Sequence, residues 1–156
     1  MGARVHLKRI RVKNGGVAGL AKIHGEGVKV GILEGTGEHN NADNGQTVSQ
    51  IAAWNEFGTD MIPERPFLRG TVAKYNDEYK DTLRKVVQEV LNARDPASHA
   101  AIDRLALKVV ADVKNTITEL KDPPNADATI AAKGSDNPLI DTGQLRQSIT
   151  WGRAAR

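Results

Sequence analysis

The chain has 156 residues, of which 39% are hydrophobic and 4% aromatic, with no cysteine and a formal net charge of +3. This length predicts a single domain over residues 1–156, and the missing cysteine excludes disulfide bonds and thiolate metal sites. No apolar run approaches the roughly 18–20 residues that a membrane span requires, and the charged N-terminus lacks the apolar segment of a signal peptide, so we expect a soluble protein made in a reducing cytoplasm.

The positive charge is concentrated at the N-terminus. Residues 1–25 hold six basic residues and no acidic one, which leaves the rest of the chain with a net negative charge. Within this basic arm, apolar and polar residues alternate over residues 5–12, which predicts a β-strand with a bulge. The arm is interpreted either as a solvated edge strand or as a contact surface for nucleic acid or an acidic neighbouring subunit. The candidate contact residues are Arg4, Lys8, Arg9, Arg11 and Lys13.

The clearest strand prediction covers residues 28–33, where β-branched residues stand between glycine-rich borders. Residues 34–46 follow and contain Gly, Asn, Asp and Thr with almost no apolar side chain. A polar stretch of this length predicts a mobile surface loop, and loops of this kind are often functional.

A short helix is predicted over residues 48–57. Thr47 can cap its N-terminus, and Gly58 is expected to end it in the left-handed conformation. The spacing of the apolar residues places three of them on or near one face of the helix. These residues are Ile51, Trp54 and Phe57.

Two long amphipathic helices come next. Pro66 suits the first turn of the first helix, which is predicted to reach residue 93. Asp95 can cap the second, Pro96 suits its first turn, and Pro123 lies beyond its end. The apolar stripe of the second helix consists of Ile102, Leu105, Ala106, Val109, Val110, Val113, Ile117 and Leu120. Because their connection is short, the two helices are predicted to form an antiparallel or angled pair laid against a sheet.

The C-terminal part of the chain predicts short elements. A helical turn is expected over residues 129–133, a short helix over residues 143–148 and a terminal strand over residues 149–152. The predicted fold class is therefore α+β, with a small, mostly antiparallel sheet packed with two long amphipathic helices and short capping helices.

No pattern typical of catalysis or of a metal site is present. The four histidines lie in unrelated contexts without the spacing of a metal site. The glycines match neither the dinucleotide-binding nor the phosphate-binding pattern, and no serine lies in a nucleophile elbow. Zinc-finger, RNA-recognition and helix-turn-helix signatures are also missing. We therefore expect no catalytic residue, no cofactor and no metal, and the protein is not expected to be an enzyme.

Two stretches, residues 51–69 and residues 137–151, carry most of the information in the chain. The first holds three of the six aromatic residues together with a methionine and two arginines. These side chains are interpreted as a local core cluster or, in part, as a surface that contacts a neighbouring subunit, because aromatic residues, Met and Arg are enriched in interface cores. The arginines can form bidentate pairs with an acidic neighbour. The interface candidates are Trp54, Phe57, Met61, Arg65, Phe67 and Arg69.

The second stretch contains the triplet Asp141, Thr142 and Gly143 directly before a predicted helix. An oxygen of Asp141 or Thr142 can accept hydrogen bonds from the free N–H groups at the helix start. The apolar residues around the triplet are expected to anchor it to the core. This motif is therefore interpreted as stabilising the fold first and as functional second.

Four segments together resemble one protein family. They are VGIL at 30–33, IAAWNEFGT at 51–59, IPERPFLR at 62–69 and PLIDTGQLRQSI at 138–149. In this order they resemble the virion morphogenesis and tail-completion proteins of tailed bacteriophages, which are small neck, or head–tail joining, proteins. The resemblance covers most of the chain between residues 28 and 151.

This resemblance implies an α+β fold and a structural role in the virion neck, where the protein completes the tail or joins head to tail in a ring around the DNA channel. The implied partners are further copies of the chain, with a hexamer expected, portal or connector proteins, and tail terminator or tail tube proteins. Genomic DNA is a candidate contact of the basic arm, and no membrane is involved. The protein would be made in the host bacterial cytoplasm. Two other interpretations stay open: a tail terminator or tube-associated virion protein, and a small nucleic-acid-binding module that uses the basic arm.

Overall fold

The computed structural model describes residues 27–33, 40–41, 46–92 and 98–154. The basic arm, the strand predicted within it and the cap predicted at Asp95 lie outside the described residues. In chain order the elements are β1 (Val28–Gly31), β2 (Asn40–Asn41), β3 (Gln46–Thr47), α1 (Val48–Phe57), α2 (Phe67–Leu91), α3 (Ser98–Glu119), α4 (Asp127–Lys133), α5 (Gln144–Ser148) and β4 (Thr150–Arg153). The predicted α+β class with two long helices is confirmed.

The strands β1 and β4 form an antiparallel sheet although they lie far apart in sequence. Val28 lies opposite Arg153 at one end of the pair, and Gly31 lies opposite Thr150 at the other. Arg153 also donates from Nη2 to both carboxylate oxygens of Asp103 on α3, at 3.0 and 2.8 Å. The sheet is therefore attached to the N-terminal part of α3, and the predicted terminal strand is confirmed.

A second, two-residue ladder precedes α1. β2 pairs with β3 in antiparallel fashion, at the end of the stretch predicted to be a surface loop, most of which lies outside the described residues. At the start of α1, the Gln50 backbone N–H donates to Thr47 Oγ1 at 3.2 Å, and the Thr47 N–H donates to Gln50 Oε1 at 3.0 Å. This reciprocal pair is a capping box, which fixes the first turn of the helix. The predicted cap at Thr47 is confirmed.

Burial along α1 does not follow the three apolar residues that were expected to share a face. These residues are Ile51, Trp54 and Phe57. In the structure Val48, Ala52 and Glu56 are buried, whereas Phe57 is 65% exposed and the other two members are half-buried. Glu56 lies on the buried side of the helix because its carboxylate accepts backbone N–H groups of α2, as described below.

The helices α2 and α3 pack against each other in antiparallel orientation, as predicted. Near the start of α2, Thr71 Oγ1 donates to Thr116 Oγ1 at 2.7 Å, and further along α2 the Tyr79 hydroxyl donates to Asp112 Oδ2 at 2.7 Å. Lys108 adds ion pairs to Asp112, at 3.0 Å, and to Glu78 of α2. The partners on α3 thus run backwards as the chain advances along α2.

One hydrophobic core joins α1, α2, α3 and the C-terminal elements. Its apolar residues are Val48, Ala52, Phe67, Val113, Ile117, Leu139, Leu145 and Ile149. The predicted stripe of α3 supplies the central part, since Val113 and Ile117 are fully buried. Burial of side chains this size contributes roughly 1.5–3 kcal/mol each. The core therefore contains members of both stretches that stood out in the sequence.

Candidate functional site

The two sequence stretches lie against each other and enclose a groove. Phe67 from the first stretch and Leu139, Leu145 and Ile149 from the second share the core beneath it. The groove has a volume of about 440 Å³. It is lined on one side by residues of α1 and the α1–α2 connection and on the other by the segment before α4 and the turn before α5. Two of the interface candidates, Met61 and Arg65, are among the residues that line the groove.

Arg65 is buried inside the chain and is 3% exposed. Its Nε donates to the Pro123 carbonyl at 2.8 Å, and Nη2 donates to the Pro124 carbonyl at 2.9 Å and to Asn125 Oδ1 at 3.2 Å. Nη1 donates to Asn55 Oδ1 at 3.2 Å. The prediction that Arg65 pairs with an acidic neighbouring subunit is wrong, because its guanidinium holds the Asp122–Asn125 segment to α1 instead.

The electrostatics of Arg65 are unusual among the described residues. All four of its hydrogen-bond acceptors are neutral oxygens, and no carboxylate lies within ion-pair distance of it in the described part of the chain. Burial lowers the pKa of the guanidinium from its ordinary value, although arginine stays protonated in proteins. The wall of the groove therefore contains a buried positive charge without a counter-ion.

Glu56 of α1 caps the N-terminus of α2. Pro66 at the N-cap position makes no side-chain hydrogen bond, so the first N–H groups of α2 need another acceptor. Glu56, 3% exposed, provides both oxygens: Oε2 accepts from Leu68 N–H and Oε1 from Arg69 N–H, each at 2.8 Å. The positive end of the helix dipole favours a carboxylate there. Glu56 was not singled out from the sequence.

Arg69 also pairs within its own chain. Its Nε donates to Glu56 Oε1 at 3.0 Å and its Nη2 to Glu64 Oε1 at 2.6 Å. The hydrogen bonds that the guanidinium donates to these two carboxylates, the one to Glu56 first, raise its pKa. The guanidinium carbon lies 4.8 Å from the ring centroid of Phe57. The acidic partners of this interface candidate are therefore intramolecular, and its stacking fixes the exposed Phe57 ring.

The connection between α1 and α2 presents Met61 on a hydrogen-bonded turn. Thr59 Oγ1 accepts from the N–H groups of Met61 and Ile62, and the Thr59 N–H donates to the Ile62 carbonyl at 2.8 Å. Gly58 has the expected positive φ, 72°, but its ψ of 171° is extended rather than left-handed helical. Met61 is 91% exposed at the rim of the groove. Of the interface candidates, Met61 and Phe57 project into solvent, while Phe67 is fully buried and belongs to the core.

Gly143 rather than an acidic side chain begins α5. It is the N-cap residue with φ 80°, a left-handed conformation that glycine adopts without strain. The Gln144 N–H donates to Thr142 Oγ1 at a long 3.4 Å. Of the two predicted acceptors, Thr142 makes this bond, whereas no hydrogen bond joins Asp141 to the helix start within the described residues. The left-handed Gly143 turns the chain into the helix.

Lys133, at the end of α4, places a second cation in the groove lining. Its Nζ donates to the Asn137 carbonyl at 2.9 Å. Burial lowers the pKa of the ammonium and the nearby Arg65 charge lowers it further, while Asp141 opposes the shift. Asn137 itself is buried, and its Oδ1 accepts from Leu139 N–H at 3.0 Å. The amide thus holds the turn that forms this side of the groove.

The sequence offered signals for some of these residues and not for others. Asn137 opens the second stretch, and an Asn directly before a Pro is recognisable from sequence as a turn former. Asn125 carries no local signal, because its partner Arg65 lies 60 positions earlier in the chain. Lys133 carries none either, although its acceptor, the Asn137 carbonyl, is nearby in sequence. Among the described residues no group of three or more acidic, histidine or cysteine side chains is placed to hold a metal ion. None of the helices in that part of the chain is long and apolar enough to cross a membrane.

Comparisons with protein-family models, with curated proteins and with solved structures found no match for this chain.

Proposed function

We propose that this chain is a structural protein of a tailed-phage virion neck, which completes the tail or joins head to tail as one copy of a ring around the DNA channel. The observation that carries the proposal is the meeting of the two motif stretches around one groove, with Met61 exposed at its rim. A tail terminator or tube-associated role rests on the same surface. The number of copies in the ring and the identity of the neighbouring virion proteins are likewise proposals.

The geometry of the turn supports a role in assembly. A methionine that is 91% exposed buries almost no apolar surface in the isolated chain, so folding alone gives little reason for its position. The hydrogen bonds to Thr59 hold this turn in one conformation, so a contact made there loses little conformational entropy. Methionine and aromatic side chains are enriched in the cores of protein–protein interfaces. We therefore expect Met61 and Phe57 to contact a neighbouring subunit.

The assignment is tested in a phage that encodes this chain. An early nonsense codon is expected to give full heads beside detached or abnormally terminated tails in negative-stain electron microscopy, and a plasmid copy of the gene restores infectious particles. Intact infectious virions from the nonsense mutant contradict the neck assignment. In that case, steeply salt-dependent DNA binding of the purified protein would support the nucleic-acid-binding alternative.

The contact surface is tested with Met61→Ser in the complementing gene. The variant is expected to fold with an unfolding free energy within about 0.5 kcal/mol of wild type, because surface substitutions of this kind have small effects. It is expected to complement poorly. Leu107→Ser is the matched control, since Leu107 is also an exposed apolar residue, at 55%, but lies on α3. Full complementation by Met61→Ser, equal to the control, would remove Met61 from the contact.

A further inference from the structure

The groove between the two motif stretches has a net positive lining. Of the residues that line it, three carry a charge: Arg65, Lys133 and Asp141. Two are cations and one is a carboxylate. Arg65 donates to neutral oxygens alone, and Lys133 donates to a backbone carbonyl. No ion pair within 4 Å joins Asp141 to either cation among the described residues, so its charge compensates them only at longer range.

The groove also has one donor that is left without an acceptor. Asn125 uses its Oδ1 to accept from Arg65 Nη2 at 3.2 Å. This bond fixes the orientation of the amide, because the flipped amide would set its NH₂ against the guanidinium. Asn125 Nδ2 is shielded from solvent and has no hydrogen-bond partner. Buried donors of this kind are rare in native structures, so the hydrogen bonding of this wall of the groove is incomplete.

The rest of the lining is mixed, with Asn55, Thr129, Thr142 and Gln144 among its polar members. Its apolar part is poor in backbone donors. Ile51, Ile62 and Pro63 line one side, and Pro124 and Pro138 line the other. Proline has no N–H, so these walls do not bind a polar ligand by themselves. They suit apolar side chains on either side of a negatively charged group. The volume of about 440 Å³ falls in the range of sites that enclose a small ligand or a few side chains.

The geometry points to an extended peptide as the occupant: a segment of a partner protein in which an Asp or Glu carboxylate is flanked by apolar residues. The carboxylate lies near Lys133 and the buried Arg65 charge. A free inorganic anion fits less well, because it has no apolar groups to contact the apolar part of the lining. This inference deepens the proposed function, on which it rests, by naming the chemistry that a neighbouring protein presents at this groove.

The test uses the purified full chain and a yeast-displayed library of random peptides, sorted for binding to wild type. The expected result is an enriched consensus in which one acidic residue is flanked by apolar ones. A synthetic peptide of that consensus is expected to shift the side-chain amide signal of Asn125 in a nitrogen-15 spectrum, and its twin with Gln or Asn at the acidic position is expected to bind at least roughly 5-fold more weakly. No enrichment, or a consensus without an acidic residue, overturns the inference.

Two groove variants are expected to act in opposite directions, which separates a binding effect from misfolding. Lys133→Met keeps the aliphatic stem and should weaken the peptide roughly 5- to 10-fold, whereas Asp141→Asn should strengthen it. Lys80→Met is the control, because this exposed lysine on α2 does not line the groove. Equal affinities of all three variants overturn the inference. Since binding is measured on the isolated protein, it can hold or fail independently of the neck phenotype in phage.

Discussion

Replacing Glu56 with glutamine tests whether its carboxylate joins α1 to α2. Both carboxylate oxygens accept a backbone N–H of α2 at 2.8 Å, and the amide of glutamine retains one acceptor. One N–H therefore faces an NH₂ group, and a buried unsatisfied donor costs about 1–3 kcal/mol. The side chain of Arg69 is half exposed, so solvent screens its ion pair and the loss of that pair adds little. We expect the free energy of unfolding to fall by about 1–3 kcal/mol.

Urea unfolding followed by far-UV circular dichroism measures this loss, with an unchanged m-value expected. Glu64→Gln is the matched control, because Glu64 contacts the same Arg69 guanidinium but both side chains are half exposed. Its loss is expected to be about 0–1 kcal/mol. Hydrogen exchange at the amides of Leu68 and Arg69 should accelerate in Glu56→Gln and stay unchanged in the control. Equal losses in the two variants would refute the capping role.

Three further predictions concern Arg65, Gly58 and Tyr79. Arg65→Lys is expected to lower the free energy of unfolding by about 2–4 kcal/mol in urea, because an ammonium cannot make the four planar hydrogen bonds of the guanidinium; a loss below about 0.5 kcal/mol would contradict this. Gly58→Ala is expected to lower the free energy of unfolding by about 1–3 kcal/mol, since φ is 72° and a Cβ would lie 3.1 Å from Glu64 N. Gly70→Ala is the control, because a Cβ there meets nothing within 4 Å. Burial, and then the hydrogen bond to Asp112, raises the pKa of the Tyr79 hydroxyl above its ordinary value of 10.0. The folded state therefore keeps this proton where the unfolded state has lost it, and stability should be retained below about pH 10 and fall above it. Absorbance titration is expected to show one late tyrosine, which Tyr79→Phe removes.

The long elements of the fold were predictable because their periodicity is strong. The α3 stripe repeats apolar residues over about five turns, and its central members Val113 and Ile117 are buried as that pattern requires. The cap at Thr47 was predictable because a capping box involves residues only three positions apart. Local chemistry fixes these features, so one sequence is enough to find them.

Burial along α1 does not follow its apolar spacing, because a tertiary contact outweighs hydrophobicity. The pattern favours burial of Phe57, but the N-terminus of α2 begins at a proline without a side-chain cap and needs an acceptor, which Glu56 supplies from the preceding helix. Arg65 failed as an interface candidate for a similar reason. Its acceptors lie in the segment around Pro124, almost sixty positions later in the chain, and no local pattern announces a contact at that separation.

The pairing of β1 with β4 has a consequence for how the chain folds. These strands are separated by nearly all of the described residues, whereas α2 and α3 are neighbours in sequence and can pair early. Closing a loop grows more costly with its length, by about 0.6 kcal/mol for each doubling, and contacts this remote in sequence slow folding. The sheet is therefore expected to form last, after the helix pair and the core have brought Val28 and Arg153 together.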